Sequence, residues 1–222
     1  MMPVPPPQSY KTRLQSICIA GVDYQLRTLL DVQQYSDESG AAEALGIDPS
    51  AWPMFGVIWP SSRALATYMS SFEHAGKRIL EIGCGLALTS LVLHHQGSNV
   101  LAADIHPLAG EFLARNLLLN KLPPMAFTRC DWSSETVDLG RFDLILASDL
   151  LYEPQQPVTL AAFMARHAAP EAQLVVADPG RGNLSRFDRE LRGHGFELSQ
   201  RFRPPRIKIK VSDYARAPAS PT

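Results

Sequence analysis

The stretch ILEIGCGLALTSLVL, residues 79–93, decides the fold more than any other part of this sequence. Its apolar start up to Glu81 is typical of a buried strand, and the apolar spacing from Leu88 onwards is typical of a helix. Between them, the glycines of residues 83–85 allow a tight turn and let a ligand approach the backbone at the helix N-terminus. A dinucleotide fingerprint would have glycine or alanine at position 88, so Leu88 disfavours NAD and FAD.

A carboxylate ends the next predicted strand, NVLAADI. Asp104 follows Gly83 by 21 residues, and a carboxylate at this position can accept hydrogen bonds from both hydroxyls of a ribose. The alternative is a solvated aspartate that caps the following helix before Pro107. The loop and the carboxylate together, at this spacing, favour a nucleoside site over a purely structural role.

Two further strand ends carry side chains that suit an adenine ring. Asp131 can accept a hydrogen bond from the exocyclic amine, Trp132 can pack on the ring face, and Ser148 would close the pocket from the other side. An ordinary strand end with a tryptophan covering the core explains the first two residues equally well. Because open α/β sheets bind ligands at the carboxyl ends of their strands, we expect these side chains near Asp104.

The remaining pattern predicts an α/β fold. From residue 77 onwards, largely apolar strands alternate with helices, which indicates a mostly parallel sheet with helices on both faces. The last two strands lack an intervening helix and are expected to pair antiparallel, while residues 13–29 predict a β-hairpin. The chain is therefore divided into a disordered tail, the hairpin with a connecting or lid segment, a main domain and a second disordered tail, at residues 1–12, 13–58, 59–214 and 215–222.

Charge and cysteine content narrow the class of protein. A formal net charge of −1 over 222 residues suggests neither a nucleic-acid nor a membrane partner. The N-terminus has no apolar signal segment, and no run approaches the roughly 18 apolar residues of a membrane span. Cys18, Cys84 and Cys130 lie far apart, which argues against a disulfide framework and a zinc site. We expect a cytoplasmic protein without a bound metal.

Two basic segments have more than one interpretation. RFRPPRIKIK, residues 201–210, predicts an amphipathic edge strand whose basic side chains face water and block edge pairing; the alternative is a surface that docks an acidic partner. DPGRGN, residues 178–183, follows the fifth strand at the rim of the expected site. Its Arg181 either meets a substrate or is a solvated residue of a glycine-rich turn.

Taken together, the motifs resemble a known enzyme class. The class I S-adenosylmethionine-dependent methyltransferases share the set formed by EIGCG (81–85), Asp104, DW (131–132) and SDLLY (148–152). More narrowly, the chain is similar to the seven-strand protein-lysine methyltransferases, a group also described as nicotinamide-N-methyltransferase-like. That subgroup is marked by a Trp-Pro step before the core domain, here Trp59, and by an Asp-x-x-Tyr motif, here Asp149 to Tyr152. The resemblance covers about residues 59–199.

The resemblance implies cofactor contacts for S-adenosylmethionine at the strand ends. These are Gly83, Cys84 and Gly85 for the methionine part, Asp104 for the ribose, Asp131, Trp132 and Ser148 for adenine, Glu81 beside the loop, and Trp59 as a cover. It also implies a Rossmann-like sheet with strand order 3-2-1-4-5-7-6 and one antiparallel strand, so that residues 59–214 would form the methyltransferase domain. Many relatives have a further glycine near position 87, where this chain has Ala87, which is a mild departure.

Asp149 and Tyr152 are implied to act on the substrate. A lysine amine titrates near about 10.4 in water and must lose its proton before it attacks, which an apolar channel favours. Asp149 can attract and orient the incoming cation, but it also raises the pKa of the amine, so orientation is favoured over general-base catalysis. Tyr152 offers a ring wall and an acceptor hydroxyl. In the structural alternative, Asp149 caps the following turn and Tyr152 packs beside Pro154.

Three functions follow from these motifs. The first is an N-methyltransferase that acts on a lysine side chain of a protein, and the second is a methyltransferase of small-molecule amines or N-heterocycles. The third is a cofactor-binding module without turnover, against which the intact Asp149 and Tyr152 pair speaks. An open, acidic-rimmed mouth would support a protein substrate, whereas an enclosing lid made by residues 31–56 would support a small one.

Overall fold

The protein is described by a computed structural model that covers residues 10–205 and 207–216. Its centre is a seven-stranded sheet with the spatial order β5-β4-β3-β6-β7-β9-β8. Counting only these strands, the order is 3-2-1-4-5-7-6, and β9 alone runs antiparallel to its neighbours. The strands are β3 (Arg78–Ile82), β4 (Asn99–Asp104), β5 (Ala126–Arg129), β6 (Phe142–Ser148), β7 (Ala168–Asp178), β8 (Phe196–Phe202) and β9 (Lys210–Arg216). The predicted fold class is confirmed.

Helices cover both faces of the sheet because successive residues of the central strands point to opposite sides. Ile145 and Ala147 of β6 pack with the apolar residues of two helices on one face, whereas Leu144 and Leu146 pack on the other face. The first face carries α4 (Gln156–His167) and α5 (Leu184–Gly193), and the second carries α1 (Pro60–Met69), α2 (Leu88–His95) and α3 (Ala109–Leu119). The near-continuous apolar runs of the strands follow from this double burial.

The predicted hairpin is present as β1 (Thr12–Ile19) and β2 (Val22–Leu29). Its two-residue turn, Ala20 and Gly21, has positive φ angles of 50° and 83°, which matches the twist that a tight hairpin requires. The second strand of the hairpin packs on α3. Asn116 Oδ1 accepts from Arg27 N at 2.7 Å, and the Asn120 amide bonds both N–H and C=O of Gln25. The free edge of β2 is therefore satisfied within the chain.

Several predicted boundaries need correction. Strand β1 begins at Thr12 and β9 ends at Arg216, so residues 12 and 215–216, predicted in the tails, belong to strands. The disorder predicted for residues 1–9 and 217–222 lies outside the described residues. The edge strand predicted within residues 201–210 is wrong, because β8 is the edge strand and β9 begins only at Lys210. Two consecutive prolines, at 204 and 205, cannot donate hydrogen bonds to a neighbouring strand, so the connection between β8 and β9 stays out of the sheet. Arg206 lies outside the described residues.

The strand order places a ligand crevice at the end of β3. The neighbour β4 lies on one side of β3 and β6 on the other, and connections from these strands leave toward opposite faces. Open α/β sheets bind ligands outside the carboxyl ends of their strands at such a switch point. The glycine loop after β3, Asp104 at the end of β4 and Asp149 after β6 all lie at this point.

Candidate functional site

A cavity of about 470 Å³ lies at the carboxyl ends of β3, β4 and β6. This volume is within the range of roughly 300–1,000 Å³ typical of small-molecule sites. Nine of the eleven residues that the sequence analysis assigned to the site line it: Trp59, Gly83, Cys84, Gly85, Asp104, Trp132, Ser148, Asp149 and Tyr152. The structure therefore brings together residues that span almost a hundred positions of the chain.

The glycine loop requires glycine both for its backbone and for space. Gly83 and Gly85 have φ angles of 58° and 53°, in the left-handed region that costs other residues energy. A Cβ atom at Gly85 would lie 3.0 Å from the backbone oxygen of Phe55, and one at Gly83 would lie 2.6 Å from the Leu150 side chain. Ala87, where many relatives have glycine, also adopts a left-handed φ of 57°, so this departure is accommodated without a change of loop conformation.

Asp104 is the buried carboxylate of the cavity. Its Oδ2 accepts from Gly85 N and its Oδ1 from His106 N, both at 2.8 Å. Burial raises the pKa of Asp104, and these backbone hydrogen bonds oppose the shift. The side chain is thus held in one orientation while it faces the cavity, and each oxygen retains acceptor capacity for a ligand hydroxyl.

Glu81 and Asp131 do not line the cavity. Glu81 is fully buried, and its Oε2 accepts from both the backbone N–H and the hydroxyl of Ser90. Burial raises the pKa of Glu81 to about 7, and its observed contact is with the first turn of α2. Asp131 is exposed, and its Oδ1 accepts from Ser133 N and Ser133 Oγ at 2.9 and 2.6 Å in a turn after β5.

Asp149 has a backbone conformation that is unusual for its residue type. Its φ angle is 60°, and its N–H donates to Ala177 O at 2.9 Å. Non-glycine residues in this region are uncommon and concentrate at functional sites. Its carboxylate accepts from Ser61 Oγ at 3.1 Å through Oδ2 and forms an ion pair with Arg181 through Oδ1.

Tyr152 lines the same cavity as Asp149 and is half-exposed at its lip. Burial of part of the phenol raises the pKa of Tyr152, so the hydroxyl keeps its proton at neutral pH. A protonated phenol both donates and accepts a hydrogen bond. A carboxylate and a neutral hydroxyl therefore both line the cavity that contains the glycine loop.

Residues 47–58 form a wall of the cavity; the sequence analysis considered a lid at residues 31–56 but named none of the wall's lining residues. Its cavity-lining side chains are Ile47, Ala51, Met54, Phe55, Val57 and Ile58. The segment consists of short 3-10 turns, and Trp59 Nε1 donates to Met54 O at 2.9 Å. Irregular turns carry no periodic apolar signal, so only the residues next to the Trp-Pro step could have been suspected from the sequence.

His106 is a second residue that the sequence analysis missed. Its ring stacks on Phe55 at 3.8 Å between centroids, and its Nδ1 accepts from Leu108 N at 3.2 Å. Burial lowers the pKa of His106 to about 4, so the ring is neutral. The stacking ties the wall segment to the end of β4, and the position of a histidine two residues after a strand-end aspartate was the available signal.

The segment before this wall is acidic. Between Thr28 and Ser62 the chain has five carboxylates and no lysine or arginine. Asp31, Asp37 and Asp48 turn their side chains toward nearby backbone N–H groups, which shapes the turns. The side chains of Glu38 and Glu43 are exposed. Negative charge therefore lies on the surface of the segment that leads directly into the cavity wall.

Metal sites and membrane-spanning helices are both absent from the described part of the chain. In the parts of the chain at 10–205 and 207–216, no group of three or more His, Cys, Asp or Glu side chains is arranged to hold a metal ion. Over the same residues, no helix has the length and apolar character needed to cross a bilayer.

Comparison with protein families assigns the chain. A family model described as lysine methyltransferase matches residues 51–187, which include the wall, the glycine loop and the Asp149 to Tyr152 motif. The chain belongs to the lysine methyltransferase family. The resemblance inferred from the sequence motifs is confirmed.

Related proteins of known activity differ in the proteins that they methylate. The rat electron transfer flavoprotein beta subunit lysine methyltransferase is 30% identical over 141 residues, covering 62% of this chain and 54% of the relative. The mouse EEF1A lysine methyltransferase 3 is 29% identical and covers 69% of each chain. The human histone-arginine methyltransferase METTL23 is 29% identical, covering 53% of this chain and 66% of the relative. The chain spans about half of the length of the flavoprotein methyltransferases that it matches.

Solved structures share the fold at lower identity. The ribosomal protein L11 methylase of Lactobacillus delbrueckii has a TM-score of 0.62 at 18% identity and covers 72% of this chain and 81% of its own. The Thermus thermophilus 16S rRNA N2 G1207 methyltransferase, solved with AdoMet and guanosine, has a TM-score of 0.66 at 18% identity. It covers 96% of this chain and 52% of its own. At this identity the likeness concerns the fold alone.

Proposed function

We propose that the protein transfers a methyl group from S-adenosylmethionine to a lysine side chain of another protein. The observation that carries this proposal is the single cavity that joins Asp149 and Tyr152 to the glycine loop and Asp104. Family membership supports the same reaction. A cofactor-binding module without turnover would have no use for a strained acidic residue that faces the cavity beside a tyrosine.

The cavity fits S-adenosylmethionine, which supplies a methyl group on a positively charged sulfur when bound. Its lining is mainly apolar, with a buried carboxylate at one end, as a nucleoside site requires. Asp104 is proposed to hold the ribose, Trp132 and Ser148 to flank adenine, and residues 83–85 to contact the methionine part. Asp131 does not line the cavity and is proposed to reach the adenine amine from its rim. Glu81 is proposed to support the cofactor site indirectly, through its hydrogen bonds to the first turn of α2. Trp59 would cover the cofactor, held by its hydrogen bond to Met54.

Asp149 and Tyr152 are proposed to receive the lysine side chain. The amine enters as a cation, and the Asp149 carboxylate attracts it and fixes its direction. An apolar channel lowers the pKa of the amine, whereas the carboxylate raises it. Since these effects oppose each other, Asp149 orients the amine and Tyr152 accepts a hydrogen bond from it, while water takes up the released proton.

A protein substrate is supported by the acidic segment that borders the cavity. A segment with five carboxylates and no lysine or arginine favours a target lysine that has basic neighbours. The rat and mouse relatives are lysine methyltransferases that act on proteins. The wall of residues 47–58 covers one side of the cavity, which favours a small-molecule amine as the second candidate. We place the reaction in the cytoplasm, a compartment that suits the free thiols of Cys18, Cys84 and Cys130.

Tritium transfer distinguishes the candidates. The protein is incubated with methyl-tritiated S-adenosylmethionine and a lysate of the source organism, and label is measured separately in protein and in small molecules. Purified electron transfer flavoprotein and EEF1A serve as defined substrates, and the Asp149→Asn variant is the control with reduced turnover. Label only in small molecules contradicts the proposed substrate class. Calorimetry with S-adenosylhomocysteine and with NAD tests the cofactor independently, and we expect binding of the former alone.

A further inference from the structure

The acceptor oxygens of Asp149 are both occupied within the chain. Ser61 donates to Oδ2 at 3.1 Å, and the guanidinium of Arg181 pairs with Oδ1. A lysine ammonium that binds this carboxylate must therefore replace one of the two partners or share an oxygen with it. Which partner leaves depends on how firmly each is held.

Ser61 is the firmly held partner. It lies in the first turn of α1 and is fully buried. Removing its hydroxyl from Asp149 would leave a buried donor unsatisfied, which is unfavourable. Ser61 therefore stays in place when the cavity is filled.

Arg181 is the loosely held partner. Its side chain is 42% exposed, and the flanking residues Gly180 and Gly182 have φ angles of 83° and 100° with open space at both Cβ positions. Apart from the Arg181 ion pair, the loop is anchored at its ends, where Asp178 Oδ1 accepts from Gly180 N at 2.6 Å and Asn183 Nδ2 donates to Leu151 O at 2.9 Å. The guanidinium can move away while the loop remains attached.

We propose that Arg181 is an internal competitor for the substrate ammonium and thereby determines which cations the site accepts. This inference rests on the proposed function of Asp149. Exchange of the guanidinium for an ammonium leaves the number of charges at the carboxylate unchanged, so no unpaired charge is buried at any stage. A cation that binds through its ammonium alone gains little from this exchange. Arg181 thus raises the affinity that any cation needs in order to bind, and a lysine presented by a protein reaches it through further contacts at the rim.

The test measures the affinity of the site for butylammonium chloride, a probe with the head and stem of a lysine side chain. Binding is followed by calorimetry and by tryptophan fluorescence, with and without S-adenosylhomocysteine, because Trp59 and Trp132 line the cavity. The variants are Arg181→Met, which keeps the length without the charge, and Arg181→Lys, which keeps a cation. Arg189→Met is the matched control, since Arg189 is exposed on the neighbouring helix and pairs with Glu190 instead.

Arg181→Met is expected to bind butylammonium roughly two- to fivefold more tightly than the wild type, the range that an exposed ion pair corresponds to. Arg181→Lys and Arg189→Met are expected to bind as the wild type does. The gain should vanish in an Asp149→Asn background, which shows that Arg181 acts through Asp149. In methyl transfer, KM for the substrate should fall by a similar factor in Arg181→Met while kcat changes less than twofold.

Equal or weaker butylammonium binding by Arg181→Met would overturn the inference, as would a gain that persists without the Asp149 charge. The result is independent of turnover. Failure of methyl transfer with every substrate would count against the proposed function, whereas the binding comparison reports on Arg181 alone. Thermal unfolding of each variant ensures that folded proteins are compared, and Arg181→Lys provides the conservative case.

Discussion

Replacing Asp149 by asparagine tests the chemistry proposed for the site with little change in shape. Asparagine has the same size, tolerates the left-handed backbone that Asp149 adopts at a φ of 60°, and still accepts from Ser61 Oγ. Alanine would lose the hydrogen bond and meet more strain, so its effect would be harder to interpret. The asparagine variant keeps the shape of the side chain and removes the negative charge that the substrate cation requires, together with the ion pair to Arg181.

The expected loss follows from the environment of the carboxylate. The Asp149 side chain is only 9% exposed, so its bond to an ammonium is a partly buried, charge-assisted hydrogen bond. Such bonds contribute about 1.5–3 kcal/mol, which corresponds to a roughly 10- to 150-fold fall in kcat/KM. Cofactor affinity should change less than threefold, because the proposed contacts of Asp104 and Trp132 follow other strands and the Ser148 side chain is unchanged.

Steady-state methyl transfer and calorimetric titration of S-adenosylhomocysteine measure the two quantities separately. The reasoning is refuted if Asp149→Asn retains kcat/KM within threefold of the wild type on the true substrate. It is equally refuted if turnover falls only in proportion to weakened cofactor binding. A change in the free energy of unfolding above about 1 kcal/mol would identify Asp149 as chiefly structural.

Three further changes test other parts of the structure. Gly85→Ala should lower the free energy of unfolding, measured in urea, by at least about 2 kcal/mol, because alanine adds left-handed strain and a close contact with a backbone oxygen. The control Gly46→Ala, at a φ of 71° with open space, should lower it by about 1 kcal/mol. Equal losses would contradict the close approach at Gly85. Asp104→Asn should raise the dissociation constant of S-adenosylhomocysteine at least tenfold, by loss of charge-assisted bonds, and a change below threefold would remove Asp104 from the ribose site. Burial raises the pKa of Glu81 from 4.5 to about 7, so the folded state binds this proton more tightly, and its stabilising effect is present at low pH and lost as the pH rises from 4.5 to 7. Relative to Glu81→Gln, the wild type should lose roughly 3 kcal/mol over that window in denaturant titrations, and parallel curves would contradict the assignment.

The strand ends show how far motif spacing can be used. Asp104 and Trp132 were predicted beside a ligand because parallel strands meet at one edge, and both line the cavity. Asp131, next to Trp132, was predicted there by the same argument but bonds Ser133 instead. Both residues lie beyond the end of β5 at Arg129, where the alternation of a strand no longer applies, so spacing identified the edge of the sheet but not which neighbour faces the cavity.

Glu81 shows a related limit. A glutamate before a glycine loop looks like part of a binding site, but the side chain bonds Ser90 in the first turn of α2. The edge strand predicted for the basic segment was wrong because the order of β8 and β9 in the sheet depends on pairing with distant β7. The Glu81 contact joins two consecutive elements, whereas the position of β9 depends on a strand far away in the chain, and neither follows from local periodicity.

The sequence by itself determined the α/β class, the glycine loop and the family motifs, because local periodicity and glycine placement specify strands, helices and turns directly. Only the tertiary structure decided that Arg181 pairs with Asp149, that His106 stacks on Phe55, and that residues 47–58 form a cavity wall. These contacts join segments tens of residues apart, and they exist only once the sheet has brought its strand ends together.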